Sequence, residues 1–319
     1  MLRPGRSCPS SYYYGARALA GEPSLEVESL WIAGGLYGNV QALDALLAVY
    51  EGERGSKALV FNGDFHWFDV DAADFSRVND AVLAHHAARG NVETELATPQ
   101  DGAGCGCGYP DWVGDETVER SNRILQRLRA TAERLPHTLA ALRALPMHLA
   151  ARVGDARIAI VHGDADSLAG WGFSQEALAT DDGLRRAGQA FATAGADLFA
   201  SSHTCLPVLQ RFAGGRVLIN NGAAGMPNFR GSRYGLATRI SFTPARESIY
   251  GVRRRALYID AVPIRYDSQA WERCFLEQWP PGSDAHASYY QRIVEGPDYS
   301  RDEALRGQTP AQSQRVGTA

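Results

Sequence analysis

The sequence predicts an α/β protein in which two packed sheets are flanked by helices. Two patterns carry that expectation. From Leu30 to about residue 145, apolar runs of strand length alternate with amphipathic helical stretches; from Met147 onward the strands come in close succession. The bulk agrees, because 319 residues with 45% apolar and 21% charged composition make one large domain with extensions, or two small ones.

Taken in order, residues 1–27 read as an N-terminal arm, since Pro4, Pro9 and Pro23 interrupt regular structure. LWIAGG, from Leu30, is a buried strand, and Val40, Leu43 and Leu47 then recur at helical spacing to about Ala48. ALVFNGD is a second buried strand, and a helix starts near Asp74. AARGNVE begins as a short strand and ends in a loop, followed by the long glycine-rich loop ATPQDGAGCGCGYPDWVGDE. Residues 116–133 and 136–145 are helical. HLAARVGDARIAIVHGD pairs two strands about a hairpin turn, and Ser174 to Ala194 is helical. DLFASSHT, CLPVLQRFAGGRVLINNG, YGLATRISF and ALYIDAVPIRYD supply the remaining strands of a body spanning 28–266. Residues 267–319 form a C-terminal extension, with WERCFLEQW helical, YYQRIVEGP clasping the body and the last dozen residues disordered.

Several function classes are disfavoured. A net charge of −4 draws the chain to neither nucleic acid nor anionic membrane. No run of about 18 apolar residues occurs, and the opening MLRPGRSCPSSYYYGARALA lacks an apolar centre of signal-peptide length, so a cytoplasmic protein is expected. Cys8, Cys105, Cys107, Cys205 and Cys274 are odd in number and sparse, and free thiols are the expectation.

Four polar signals stand where apolar strands stop: Asp64 in VFNGDFHW, Asn91 in ARGNVETE, His162 in IVHGDADS and His203 in FASSHTCLP. Strand ends at one sheet edge are where α/β sites assemble. One carboxylate, one amide oxygen and two imidazoles form a suitable donor set for a borderline divalent metal, Mn, Fe or Zn.

In that order, with GGLYGN before them and INNGAAGMPN after, these segments resemble the calcineurin-like metallophosphoesterases over about residues 29–265. The family's motifs run D-x-H-G-N, G-D, G-N-H-D/E, H-G and G-H-x-H. The resemblance implies a four-layer α/β/β/α sandwich and two metal sites. Where the first ion takes its ligands, this chain has Gly35, Tyr37, Asp64 and Cys205; where the second does, it has Asp64, Asn91, His162 and His203. The losses thus fall on one ion and spare the other. Val92 stands where the family's leaving-group acid is read, and general acid catalysis is worth about 10²–10⁴-fold.

The resemblance therefore implies a metal-dependent hydrolase of a small phosphorylated substrate, with one ion and a metal-bound water as nucleophile. Tyr37 and His66 are the candidate proton donors; Asn39, Arg230 and Arg233 are candidate substrate contacts. Cys205 is a candidate thiolate ligand, and Cys105 and Cys107 either join it in rebuilding the first site or stay free in a mobile loop. Glu93 and Glu95 read as solvated loop acids. Two alternatives stay open. Two imidazoles and a carboxylate are also the donor set of non-haem Fe(II) redox enzymes, and a catalytically silent binder of a phosphorylated ligand would keep the same fold.

Overall fold

The computed structural model describes residues 3–307. In chain order the elements are β1 (Leu25–Glu26), β2 (Ser29–Ala33), α1 (Val40–Glu51), β3 (Lys57–Asn62), α2 (Ala72–Leu83), β4 (His86–Ala88), α3 (Asn91–Ala97), α4 (Asp115–Ala132) and α5 (Pro136–Ala144). There follow β5 (His148–Val153), β6 (Ala156–Val161), α6 (Asp181–Ala194), β7 (Leu198–Ser201), β8 (Val208–Arg211), β9 (Val217–Asn220), β10 (Gly235–Ser241), β11 (Tyr250–Arg254) and β12 (Leu257–Ile264). The chain closes with α7 (Ser268–Gln278), α8 (Asp284–Glu295), α9 (Arg301–Ala304) and β13 (Leu305–Arg306).

One sheet runs β1-β5-β6-β7-β9-β8-β13 and the other β11-β12-β10-β2-β3-β4. Side-chain alternation along each strand makes two faces, and both faces of both sheets are covered. Leu30, Ile32 and Val60 face Ile158, Ile160, Leu198 and Ile219 between the sheets. The opposite faces of β2 and β3, with Trp31, Leu59 and Phe61, pack on Leu43 and Leu46 of α1, Phe75 of α2 and Trp271 of α7. Phe199 and Leu218 pack on Phe191 of α6 and on Leu19 of the arm. The result is a four-layer α/β/β/α sandwich.

Several boundaries differ from the sequence reading. α2 starts earlier than Asp74, because Asp71 accepts hydrogen bonds from the Ala73 and Asp74 amides and caps it. The helix expected from Ser174 begins at Asp181, after a turn-rich approach. β11 is an unanticipated edge strand, paired antiparallel with β12, with Arg253 exposed and Arg254 buried against Asp197. The arm is tied down: Tyr12 is buried and β1 pairs with β5. The extension belongs to the core, with Trp271, Phe275, Trp279 and Ile293 buried under the helical layer. The disorder expected of the last dozen residues lies outside the described residues. Among the described residues no helix is long and apolar enough to cross a membrane.

β2, β3 and β4 are mutually parallel, as are β6 and β7. Their carboxyl ends therefore gather at one edge of the sandwich. Asn62 stitches the two sheets there, donating from Nδ2 to Val161 O at 2.8 Å.

Candidate metal centre

The chain leaves β3 through Gly63 and Asp64, both with left-handed backbone (φ 78° and 52°). A Cβ on Gly63 would stand 2.4 Å from His162 Nδ1, and one on Gly90 2.2 Å from Asp64 Oδ1, so neither position admits a side chain. For Asp64 the left-handed conformation costs on the order of 1 kcal/mol. Glu93 holds it in place: Oε2 accepts from the Asp64 amide at 2.9 Å and the Gly90 amide at 2.8 Å, and Oε1 from the His66 amide at 3.3 Å. Glu93 and Glu95 are both fully buried rather than solvated, because GNVETE is the start of α3 and not a loop. Tyr12 of the arm donates to Glu95 at 2.7 Å.

The imidazoles are fixed by backbone carbonyls. His162 Nδ1 donates to Asn62 O at 2.8 Å and His203 Nε2 to Cys107 O at 2.8 Å. Those bonds select the tautomers that leave His162 Nε2 and His203 Nδ1 as lone pairs. Asn91 spends its amide nitrogen on Cys105 O at 3.0 Å, which turns Oδ1 inward. His162 Nε2 then lies 3.1 Å from His203 Nδ1, 3.2 Å from Asn91 Oδ1 and 3.3 Å from Asp64 Oδ2. Four acceptors converge with no donor between them. Donors sharing one ion at bond lengths of 2.0–2.2 Å stand roughly 3.0–3.5 Å apart, so these separations fit one cation. Asp64, His162 and His203 form a buried group whose donor atoms lie within 4.8 Å of one another.

A proton can partly stand in for that cation. Burial alone would lower the His162 pKa, but the charge and hydrogen bond of Asp64 carry it upward. Burial and the neighbouring His162 push His203 down to about 4. Burial would raise Asp64, and His162, His203 and the Val92 amide outweigh it, leaving the carboxyl lowered.

The adjoining half of the cavity is arranged differently. Tyr37 and Cys205 also adopt left-handed backbone (φ 57° and 61°), and their side chains meet at 2.7 Å. The Cys205 thiol donates to His203 O at 3.3 Å, leaving its sulfur to accept from the Tyr37 hydroxyl. The phenol folds over Gly35, where a Cβ would fall 2.1 Å from Tyr37 Cζ. Burial, then Cys205 and Asp64, raise the Tyr37 pKa well above that of a free phenol, and burial raises Cys205. Cys205 is thus held as a thiol against Tyr37, outside the Asp64–His162–His203 group.

The remaining candidates are reassigned. His66 is buried, bonded through Nδ1 to Asp69 at 2.6 Å and stacked on Phe75 with ring centres 3.8 Å apart; it is not among the residues that line the cavity, so the structure does not place it as proton donor there. Asn39 caps α1, accepting from the Ala42 amide and donating to Gly225 O, so its polar atoms are already used. Arg230 pairs with Asp298 and Arg233 with Glu272, and neither lines the cavity. Cys105 and Cys107 are not free thiols in a mobile loop: they are buried and joined by a disulfide. The cavity, about 60 Å³, is walled by Tyr37, Trp67, Tyr109, Trp171, Met226 and Tyr289 around the donors. Tyr289 of α8 lines it from the C-terminal extension, and Arg292 of the same helix donates to Cys205 O at 2.8 Å.

In comparisons by sequence, no family model and no curated protein matches the chain. By structure, a metallophosphoesterase from Sphaerobacter thermophilus superposes with a TM-score of 0.55 at 17% identity, over 85% of this chain and 100% of that one. A hypothetical protein from Pyrococcus horikoshii gives a TM-score of 0.54 at 14% identity, over 86% and 100%. The chain has the metallophosphoesterase fold, with a buried Asp–His–His group able to hold a metal ion.

Proposed function

We propose that the protein is a metal-dependent phosphoester hydrolase that works with one divalent ion, held by Asp64, Asn91, His162 and His203. The observation behind this reading is the convergence of four inward lone pairs whose donor capacity is spent elsewhere. When bound, the ion supplies Lewis acidity toward a phosphoryl oxygen and lowers the pKa of the water that attacks phosphorus. The other functions fall to the chain. Tyr37 keeps its proton because burial raises its pKa, and its hydroxyl at the cavity wall is the proton donor for the departing oxygen once it turns away from Cys205. Gly35, Tyr37 and Cys205 stand for a first metal site that has been lost and filled by a hydrogen-bonded pair.

The cavity also bears on substrate. At about 60 Å³ it takes a phosphoryl group and a few waters, so the rest of the molecule lies outward, past Trp171, in an open cleft of about 390 Å³ beside Arg6 and Tyr13. Among the described residues, no lysine or arginine lines the inner cavity. The same aromatic, cation-poor wall favours a second reading, a non-haem Fe(II) redox enzyme using Asp64, His162 and His203.

One set of measurements separates these. The hydrolase reading expects about one metal per chain, largely lost in His162→Ala, and nitrophenol release from bis(4-nitrophenyl) phosphate that His203→Ala abolishes. Tightly held Fe(II) with oxygen uptake and no nitrophenol release supports the redox reading instead. A chain that binds no Mn²⁺, Fe²⁺ or Zn²⁺ is a silent binder, and both enzyme readings fall.

A further inference from the structure

Two of the four inward donors are aimed by one tripeptide. Cys105 O receives the Asn91 amide at 3.0 Å; Cys107 O receives His203 Nε2 at 2.8 Å and the Trp171 indole at 3.0 Å. Between them lies only Gly106, with φ 68°, and the two cysteines are bridged by a disulfide. Few other restraints hold these carbonyls. Residues 98–114 contain no helix or strand, and Gly102, Gly104, Gly106 and Gly108 all have positive φ. The nearest tethers are Gly106 N to Ala103 O at 3.1 Å, Cys105 N to Asn122 Oδ1 at 2.8 Å, and the exchange of backbone bonds with Gly5 by Ala103 and Tyr109. Cys107 also lines the cavity, whereas Cys105 is fully buried and does not.

We propose that the Cys105–Cys107 disulfide is a positioning element of the metal centre, and that its reduction by a dithiol weakens ion binding. A thiolate of the dithiol attacks Cys107 Sγ, and Cys105 leaves as a thiolate that takes up a proton. The second thiol of the reductant then displaces Cys107, which is protonated in turn, and closes the reductant's own disulfide. The protein gains two electrons and two protons; the dithiol is oxidised. With the cross-link open, the peptide units at 105 and 107 turn independently about Gly106, and Asn91 Oδ1 and His203 Nδ1 lose their common aim. Groups that orient metal ligands in this way are typically worth about 10–100-fold in metal affinity. The inference rests on the reading of Asp64, Asn91, His162 and His203 as a metal site, and goes beyond it in making that site redox-dependent.

The test uses the full chain and Mn²⁺, titrated against a competing chelator. In the air-purified protein, mass analysis after alkylation should find the Cys105–Cys107 pair protected. Reduction should weaken Mn²⁺ binding about 10–100-fold, and reoxidation should restore it. Cys105→Ser/Cys107→Ser should bind at the weaker value whether or not reductant is present, and Cys8→Ser should keep the full redox response. If the double variant does not fold, the reduction and reoxidation cycle of the unaltered chain makes the same comparison. Equal Mn²⁺ affinity in both redox states, or two freely alkylated thiols at 105 and 107 throughout, overturns this inference alone. Failure of the oxidised chain to bind any ion overturns the metal reading with it.

Discussion

The two halves of the cavity satisfy their polar atoms in opposite ways. On one side Asp64, Asn91, His162 and His203 send every available hydrogen outward, to Asn62 O, Cys105 O and Cys107 O, and face one another with lone pairs. On the other, Tyr37 donates to Cys205 and Cys205 to His203 O, so the pair is complete in itself. An unsatisfied buried polar group costs about 1–3 kcal/mol, so the first half is unfinished without a cation and the second needs none. The difference teaches that residue types alone do not decide which atoms are free to ligate: Cys205 is a good ligand by chemistry, and its hydrogen bonds employ it otherwise.

The largest expected break in this contrast is constructive. Gly35→Asp/Tyr37→His/Cys205→His removes the closed pair and supplies donors, and should raise bound Mn²⁺ from about one to about two per chain by elemental analysis. A value still near one would mean that the second half cannot be opened. Next comes Glu93→Ala, which strips the acceptor from the Asp64, Gly90 and His66 amides. It should cost about 3 kcal/mol or more in urea unfolding and weaken Mn²⁺ binding, with Glu93→Gln intermediate; a loss below 1 kcal/mol would remove Glu93 from the account.

A smaller effect is pH-dependent. His162 is raised in the folded chain, so its pairing with Asp64 stabilises the metal-free protein fully below the ordinary imidazole value of about 6.5 and is lost as pH rises through the folded value. Ion binding runs the other way, because it requires that proton to leave. The rise in melting temperature on adding Mn²⁺ should therefore grow through this range, while His203, at about 4, holds no competing proton. A gain independent of pH would argue that His162 is not a ligand. The smallest effect belongs to Tyr37→Phe, which should lower stability by about 1 kcal/mol or less and leave metal content unchanged, while slowing any phosphodiester turnover. A loss of the ion in this variant would erase the distinction between the halves.

The donors themselves were legible. Asp64, Asn91, His162 and His203 each end an apolar run, and parallel strands bring such ends to one edge. What aims them was not. Glu93 sits in a helix of 7 residues, all buried, which gives no amphipathic period to distinguish it from a loop. Cys105 and Cys107 lie in a glycine-rich stretch whose burial depends on Gly5 and Tyr12 of the arm, nearly 100 residues away in sequence. His66 shows the converse error. Two residues from Asp64, it was expected at the site, yet the left-handed turn at Asp64 sends it inward against Phe75. Arg230 and Arg233 read as anion contacts because their partners, Asp298 and Glu272, lie far along the chain in the extension.

The most direct test is anomalous diffraction from crystals of the oxidised protein soaked in Mn²⁺. One peak bounded by Asp64 Oδ2, Asn91 Oδ1, His162 Nε2 and His203 Nδ1, with Tyr37 still against Cys205, is the predicted result. A second peak between Tyr37, Cys205 and Asp64, or no peak among the four donors, would contradict it.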